Sequence, residues 1–252
     1  MNESKPVQNI LFCLVILFLL STCKKDALPM GDMDPGVALT FDDASLDKWV
    51  NLLPLFQKYN VRATFFICTG CTDSPLDRSK ILALSDAGNE IGSHSVHHLH
   101  LSQYITDHSI HDYYTNEILP SVQYFDSLNI PVTSFAYPYG DQNSQSDNFL
   151  SKYFQKIRGI CLLNPSEDGA FLIHKNKILV NGSYIDRASP YKLKDFQNAI
   201  IEAKRHHAVL ILIGHTPDSE STSDWSFPVS LLDSICSYTV QQNMKFYRMQ
   251  DL

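Results

Sequence analysis

From Val37 onward, short runs rich in β-branched and aromatic residues alternate with longer stretches of helical character. The runs are Val37 to Phe41 (VALTF), Ala63 to Ile67, Glu90 to Ser93, Ser134 to Tyr137, Gly159 to Leu163, Lys177 to Val180 and Val209 to Ile213 (VLILI), each of strand length. Between them lie Leu46 to Tyr59, Arg78 to Ala87, Ile110 to Leu128, Asp147 to Lys156, Lys192 to His206 and Val229 to Gln242 as helices. Such alternation implies parallel strands joined by crossover helices, hence an α/β barrel or an open doubly wound sheet. Seven or so units favour the barrel, and no linker or repeat divides the body.

Ahead of this body stands a different pattern. Ile10 to Leu20 (ILFCLVILFLL) is an unbroken apolar run, too short to span a bilayer as a helix but of signal-peptide length. It ends in Leu20-Ser21-Thr22-Cys23, which resembles the bacterial lipoprotein cleavage box, where the Cys becomes the lipidated first residue. A short uncleaved anchor is the alternative. The polar, turn-rich stretch that follows suits a tether. The expected division is a lipoprotein signal peptide over 1–22, a tether over 23–35 and one catalytic domain over 36–252. The expected location is the bacterial cell envelope, with the membrane as a partner through lipid on Cys23.

Charge narrows the choice of partners. The chain of 252 residues has a formal net charge of -7, and proteins that bind nucleic acid need a surplus of Lys and Arg facing the phosphates. A neutral or cationic polymer fits better than a nucleic acid. Of the cysteines in the body, Cys68 and Cys71 have the spacing of a disulfide in an oxidising compartment. As a zinc site the pair lacks a second CxxC or matched His pair.

Reactive groups of an α/β barrel gather at the carboxyl ends of the strands, where the loops converge on one mouth. Asp42 and Asp43 follow the first run at once, His94 the third, Tyr139 and Gly140 the fourth, and His215 follows VLILI after one Gly. Adjacent carboxylates at a strand end point in different directions, so one can bind a metal while its neighbour faces a water as general base. The competing use of the pair is as an N-cap for the Leu46 to Tyr59 helix. In Gly92 to His100 (GSHSVHHLH), one helical turn would set His94 and His98 on a common face, where they grip a divalent ion with Asp43. If the segment is a loop, other nitrogens converge, which leaves His97 and His100 as rival ligands. The reading without a metal is a solvated histidine cluster.

These residues resemble those of the polysaccharide deacetylases, the carbohydrate esterases that include chitin, chitooligosaccharide and peptidoglycan deacetylases. TFDD at 40 to 43 is similar to the family's first motif, and HSVHH at 94 to 98 to its H-[ST]-x-x-H motif. FAYPYGD at 135 to 141 resembles the third, in the form found in poly-N-acetylglucosamine deacetylases, and LIGH at 212 to 215 the last. The resemblance implies a distorted (β/α)7-type barrel and a metal-dependent hydrolase that removes N-acetyl groups from an N-acetylglucosamine-containing polysaccharide or oligosaccharide. It implies Asp42 as the base, with Asp43, His94 and His98 as ligands of a divalent metal: zinc first, cobalt or nickel as alternatives. His215 becomes the acid that protonates the leaving amine, and the Tyr139 backbone N–H the oxyanion donor. Asp186 in Tyr184-Ile185-Asp186-Arg187 takes the place of the Asp that orients the catalytic His, with Asp168 second. Tyr137, Tyr139, Tyr184 and Trp225 stand near the expected mouth, where aromatic rings can stack on sugars, although such residues also build cores.

One position departs from the family pattern. The third motif often carries an Arg two residues before its Pro, paired with the catalytic Asp, and that place is Ala136 here. Arg187 and Arg158 are the cations that could replace it. Two rival readings follow: an O-acetyl esterase of the xylan type with the same metal, base and acid, and an inactive lipid-anchored carbohydrate-binding protein on the same barrel. A serine hydrolase lacks support, since the sequence has no G-x-S-x-G elbow.

Overall fold

All seven expected strands form, and they close on themselves. The computed structural model describes residues 28–71, 76–166, 169–220 and 222–252. Strands β1 (Gly36–Asp43), β2 (Thr64–Ile67), β3 (Glu90–Ser93), β4 (Ser134–Ala136), β5 (Lys156–Ile160), β6 (Leu179–Tyr184) and β7 (Val209–Gly214) pair in parallel in that order. β7 pairs back to β1 from Gly36↔Val209 to Phe41↔Gly214, which makes a closed barrel. Two pairings outside the expected pattern flank it: Lys245–Tyr247 runs parallel to the start of β1, and Phe171–Leu172 antiparallel to β7.

Strand alternation divides the core into two shells, because successive side chains point to opposite faces. Val37, Leu39, Phe41, Phe65, Ile67, Leu210 and Leu212 pack outward against the helices, whereas Ala38, Phe66, Ala136, Val180, Val209 and Ile211 form a separate interior cluster. Met33, Leu172, Met249 and Leu252 belong to that interior cluster and cap it at the amino ends of the strands. The stretch read as a tether over 23–35 is packed onto the barrel from Leu28 onward: Leu28 is buried in the outer shell and Met33 in the floor, and Gly31 donates its N–H to the His206 carbonyl at 2.7 Å.

Where helices differ from expectation, proline is the usual reason. Leu46 to Tyr59 is two helices, Leu46–Val50 and Leu53–Tyr59, with Pro54 at the head of the second, because a proline has no N–H for the preceding turn and disfavours helical backbone before it. Ile110 to Asp126 is helical throughout but widens to a π turn over Tyr114–Ile118, which ends two residues before Pro120. The helix expected over Asp147 to Lys156 runs instead from Ser144–Leu150, capped by the Asn143 side chain, and Lys156 opens β5. The expected strand at 159–163 therefore starts three residues earlier. Lys156 and Arg158 are both buried, and two charges inside a strand hid its beginning. Lys156 Nζ meets the Lys175 and Lys177 carbonyls at 2.8 and 2.7 Å.

Candidate active site

The mouth is assembled one strand end at a time. Ala38, Thr40 and Asp42 occupy alternate positions of β1, so Asp42 continues the interior set and is 2% exposed. Asp43 would then face outward, but its φ of +83° ends the alternation and leaves its carboxylate at the cleft, half-exposed.

Arg158 supplies the cation expected at position 136. It is the register partner of Ala136 on the next strand, fully buried, and its Nη2 donates to Asp42 Oδ2 at 2.5 Å. Burial pushes the Asp42 carboxyl up, but Arg158, then His94 and His215, outweigh it and hold the group below the usual carboxylate range. Asp42 Oδ1 is buried with no hydrogen-bond partner among the described residues. One oxygen is thus anchored and the other is free to accept a proton.

His94 and His98 do converge with Asp43, but through a loop and not a helical turn. Ser95 and His98 both have positive φ, +65° and +55°, and the His98 N–H is held by Ser95 Oγ at 3.1 Å. The His94 and His98 Nε2 atoms stand 3.1 Å apart, and Asp43 Oδ1 lies 3.8 and 3.4 Å from them. His94 Nδ1 donates to the Ala136 carbonyl at 2.8 Å, which turns its Nε2 lone pair toward the other two groups. Burial, with repulsion from His98 and Arg158, pushes His94 down to about 4 against the pull of Asp42 and Asp43; burial also lowers His98. Both rings are neutral at pH 7, as ligands must be. Two imidazoles and a carboxylate with ligand atoms within 4.8 Å of one another fit zinc, cobalt or nickel.

His215 directly follows β7 and lines the same cavity. Its Nδ1 donates to Asp186 Oδ2 at 2.8 Å, and its backbone N–H to Asp186 Oδ1 at 3.1 Å. Trp49, with no signal in the sequence, donates its indole N–H to the His215 carbonyl at 2.7 Å. Burial lowers His215, but Asp186, Asp42 and Asp43 outweigh it and raise the imidazole above its ordinary value. The ring bonded to Asp186 through Nδ1 leaves Nε2 for the cleft. Asp42, Asp43, His94, His98, Tyr139, Tyr184, His215 and Trp225 together line a cavity of about 330 Å³.

Comparison with known proteins bears on the family and the fold. Residues 31–154 match the model of the family described as polysaccharide deacetylase. The chain carries a polysaccharide deacetylase domain. Among curated proteins, this domain is similar to a gellan lyase from a Bacillus species, 26% identical over 144 residues, or 56% of this chain and 5% of that protein. The chain thus spans a small part of that protein's length. Among solved structures it is similar to the Xyl-CE4 domain of a multidomain xylanase from the hindgut metagenome of Trinervitermes trinervoides, with 20% identity, 86% of this chain and 88% of that one covered, and a TM-score of 0.58. The catalytic domain of a peptidoglycan N-acetylglucosamine deacetylase from Eubacterium rectale gives 16% identity, coverage of 87% and 91%, and 0.54. A CE4 family pseudoenzyme from Bacillus anthracis gives 16%, coverage of 88% and 66%, and 0.59. Likeness at these identities shows the barrel, which a pseudoenzyme shares, so an argument for chemistry rests on the side chains at the mouth.

The remaining expected residues of the deacetylase domain sort by where their side chains go. Tyr137 is a correction: it is fully buried, with its hydroxyl on Asp147 Oδ1 and Ser146 Oγ at 2.9 and 3.0 Å, and belongs to the outer core. Tyr139 and Trp225 are about half-exposed at the cleft, with Trp225 beside His215 at 5.2 Å between ring centroids. His97 faces away from the ligands, toward the buried Glu117, which accepts both its Nδ1–H and its backbone N–H at 2.8 Å. A charge on the buried side of the Ile110 helix, between Tyr113 and Ser121, was the available sign of Glu117. His100 stacks on the Tyr139 ring at 3.6 Å instead of joining the ligands. Arg187 turns from Asp42 and pins the Trp225 loop through Ser226 Oγ and the Asp218 carbonyl at 2.7 and 3.1 Å. Cys68 and Cys71 are bridged. Cys23 and Asp168 lie outside the described residues.

Proposed function

We propose that this domain hydrolyses N-acetyl groups of an N-acetylglucosamine-containing glycan and depends on a divalent metal, zinc before cobalt or nickel. The observation that carries the reading is two prepared groups in the cavity that Asp43, His94 and His98 line: Asp42, anchored through one oxygen with the other free, and His215, oriented by Asp186. A metal held by Asp43, His94 and His98 would polarise the acetyl carbonyl and acidify the attacking water. Asp42 Oδ1 takes the proton of that water, while Arg158 keeps the carboxylate ionised and fixed. The Tyr139 backbone N–H faces the oxygen of the tetrahedral intermediate. His215 Nε2 then protonates the departing nitrogen, a task suited to an imidazole whose acid form persists to higher pH than usual. Tyr139, Tyr184 and Trp225 form the walls against which a sugar ring packs. We also place the protein in the bacterial cell envelope, tethered by lipid on Cys23, which the apolar run before that residue supports.

Removal of an O-acetyl group would use the same intermediate, base and acid, which makes an O-acetyl esterase the second reading. The full-length protein loaded with zinc or cobalt is expected to release acetate from N-acetylglucosamine oligomers, to stop on chelation and to recover on metal return. Asp42→Asn is expected to cut release by about 10²–10⁴-fold. Acetate from acetylated xylan alone moves the reading to the esterase, and metal and sugar binding without acetate from either makes this a binding protein. The intact mass of the same preparation reports lipid on Cys23.

A further inference from the structure

A disulfide-closed turn braces the metal-ligand residues from outside the cleft. Directly after β2, Cys68 and Cys71 are bridged with Cα atoms 5.5 Å apart. Three successive backbone N–H groups of this turn reach the site: Cys68 donates to the Asp43 carbonyl at 2.8 Å, Thr69 to the Ser95 carbonyl at 3.2 Å and Gly70 to the Val96 carbonyl at 2.8 Å. The first carbonyl belongs to one ligand, and the other two lie between the remaining ligands, His94 and His98. Asp43 and Ser95 hold φ of +83° and +65°, conformations that a residue with a Cβ keeps only when its surroundings enforce them. The turn is closely fitted, since a Cβ at Gly70 would stand 2.7 Å from the Val96 carbonyl oxygen.

A bridge between residues three apart closes a short loop and removes less unfolded-chain entropy than one closing a long loop. Its constraint falls on the shape of the turn, and the turn docks on the ligand segments. We infer that the Cys68–Cys71 disulfide is a positioning element of the metal site: it fixes the three N–H groups that hold Asp43 and the His94 to His98 loop in convergence. This rests on the metal reading of those residues. Cys68 is buried and Cys71 exposed, so a reductant reaches the bridge through Cys71. A phosphine and one water open it: the phosphine leaves as its oxide, and the two Sγ atoms become thiols.

The test is zinc affinity of the full chain, read by competition with a chromophoric chelator, in the oxidised form, after phosphine reduction and removal of the reagent, and in Cys68→Ser/Cys71→Ser. Both opened forms are expected to bind about 10–100-fold more weakly while circular dichroism shows an intact barrel. Gly70→Val, with the bridge in place, is expected to weaken binding comparably because it disturbs the docking through which the bridge acts; if the opened forms unfold, parental affinity in this variant overturns the proposal. Affinity unchanged across all forms, or tighter after reduction, overturns the proposal. An oxidised protein that binds no metal overturns the metal reading together with it, so the oxidised arm separates the two failures.

Discussion

The barrel holds a buried acid at each end, and the two are treated in opposite ways. At the mouth, Asp42 meets a guanidinium through one oxygen and keeps the other unpartnered. At the floor, Glu90 has both oxygens occupied by neutral donors: Ser134 Oγ at 2.6 Å on one, Thr64 Oγ and the Gln250 N–H at 2.9 and 2.8 Å on the other. Arg158 holds Asp42 low against burial, whereas burial pushes Glu90 up and neither its neutral hydrogen-bond partners nor the charge of Arg248 offsets it. Residue type and burial are alike, so the partner decides whether the group is a ready base or a hydrogen-bonded strut. An unsatisfied oxygen is costly where only stability is at stake, and it stands at the end where a substrate can use it.

The contrast breaks most sharply at Arg158. Arg158→Leu leaves Asp42 buried without its cation, which is expected to lower stability by about 3–5 kcal/mol and to abolish acetate release, since the carboxyl would be driven toward its neutral form. Denaturant unfolding checks the first part. Adding Asp42→Asn to Arg158→Leu should restore most of the stability and none of the activity. Because the Asp42 pKa is depressed on folding, the stability from this pair is present above the ordinary carboxylate range and lost as pH falls through the depressed value. A single Arg158→Leu variant as stable as the parent would mean that the mouth, like the floor, needs no charge pairing.

Much of this was legible in the chain, and the failures share a cause. Strands with apolar runs, such as VLILI, declared themselves, and Asp42 with Asp43, His94 and His215 could be singled out because they stand at the carboxyl ends of three strands. β5 and β6 were shifted because they carry Lys156, Arg158, Gly182 and Ser183, which read as helix end or turn when a buried strand is assumed apolar. Phase was the missed clue for Tyr137: it shares the outward parity of Phe135, while Ala136 between them takes the interior. The loop convergence of His94 and His98 depends on positive φ at Ser95 and His98, residues whose types give no sign of it. Arg158 stood among the two possible cations, but only strand register, Ala136↔Arg158, selects it over Arg187.

A smaller effect is expected across the cleft, where a histidine takes its character from an acid as Asp42 does from Arg158. Net elevation of His215 by Asp186, Asp42 and Asp43 against burial keeps its acid form above the free imidazole value of about 6.5. The alkaline limb of the kcat profile is therefore expected above that pH. Asp186→Asn removes the main source of elevation, so the limb should move toward acid while kcat falls, in a protein that still binds metal. A limb unmoved in Asp186→Asn would assign the acid step to another group.

The smallest expected effect is at the floor, and it sharpens the comparison by showing what a buried acid does with no cation hydrogen-bonded to its oxygens. Glu90→Gln keeps the shape of the side chain, an acceptor for the Gln250 N–H and a polar group toward Ser134, so acetate release should be unchanged. Stability should change in its pH dependence. A carboxyl whose pKa is raised on folding binds its proton more tightly in the folded than in the unfolded chain. The parent must therefore lose stability as pH rises from the ordinary carboxylate value of about 4.3 toward the raised folded value. The variant has no proton to lose there, so its profile should be flat in that window and its stability at neutral pH higher by on the order of 1 kcal/mol. Thermal unfolding of both proteins from acid to neutral pH reads this directly. Parallel profiles would mean that Glu90 is as readily ionised in its ring of hydroxyls as in water, and that Arg158 is not what sets the two ends of the barrel apart.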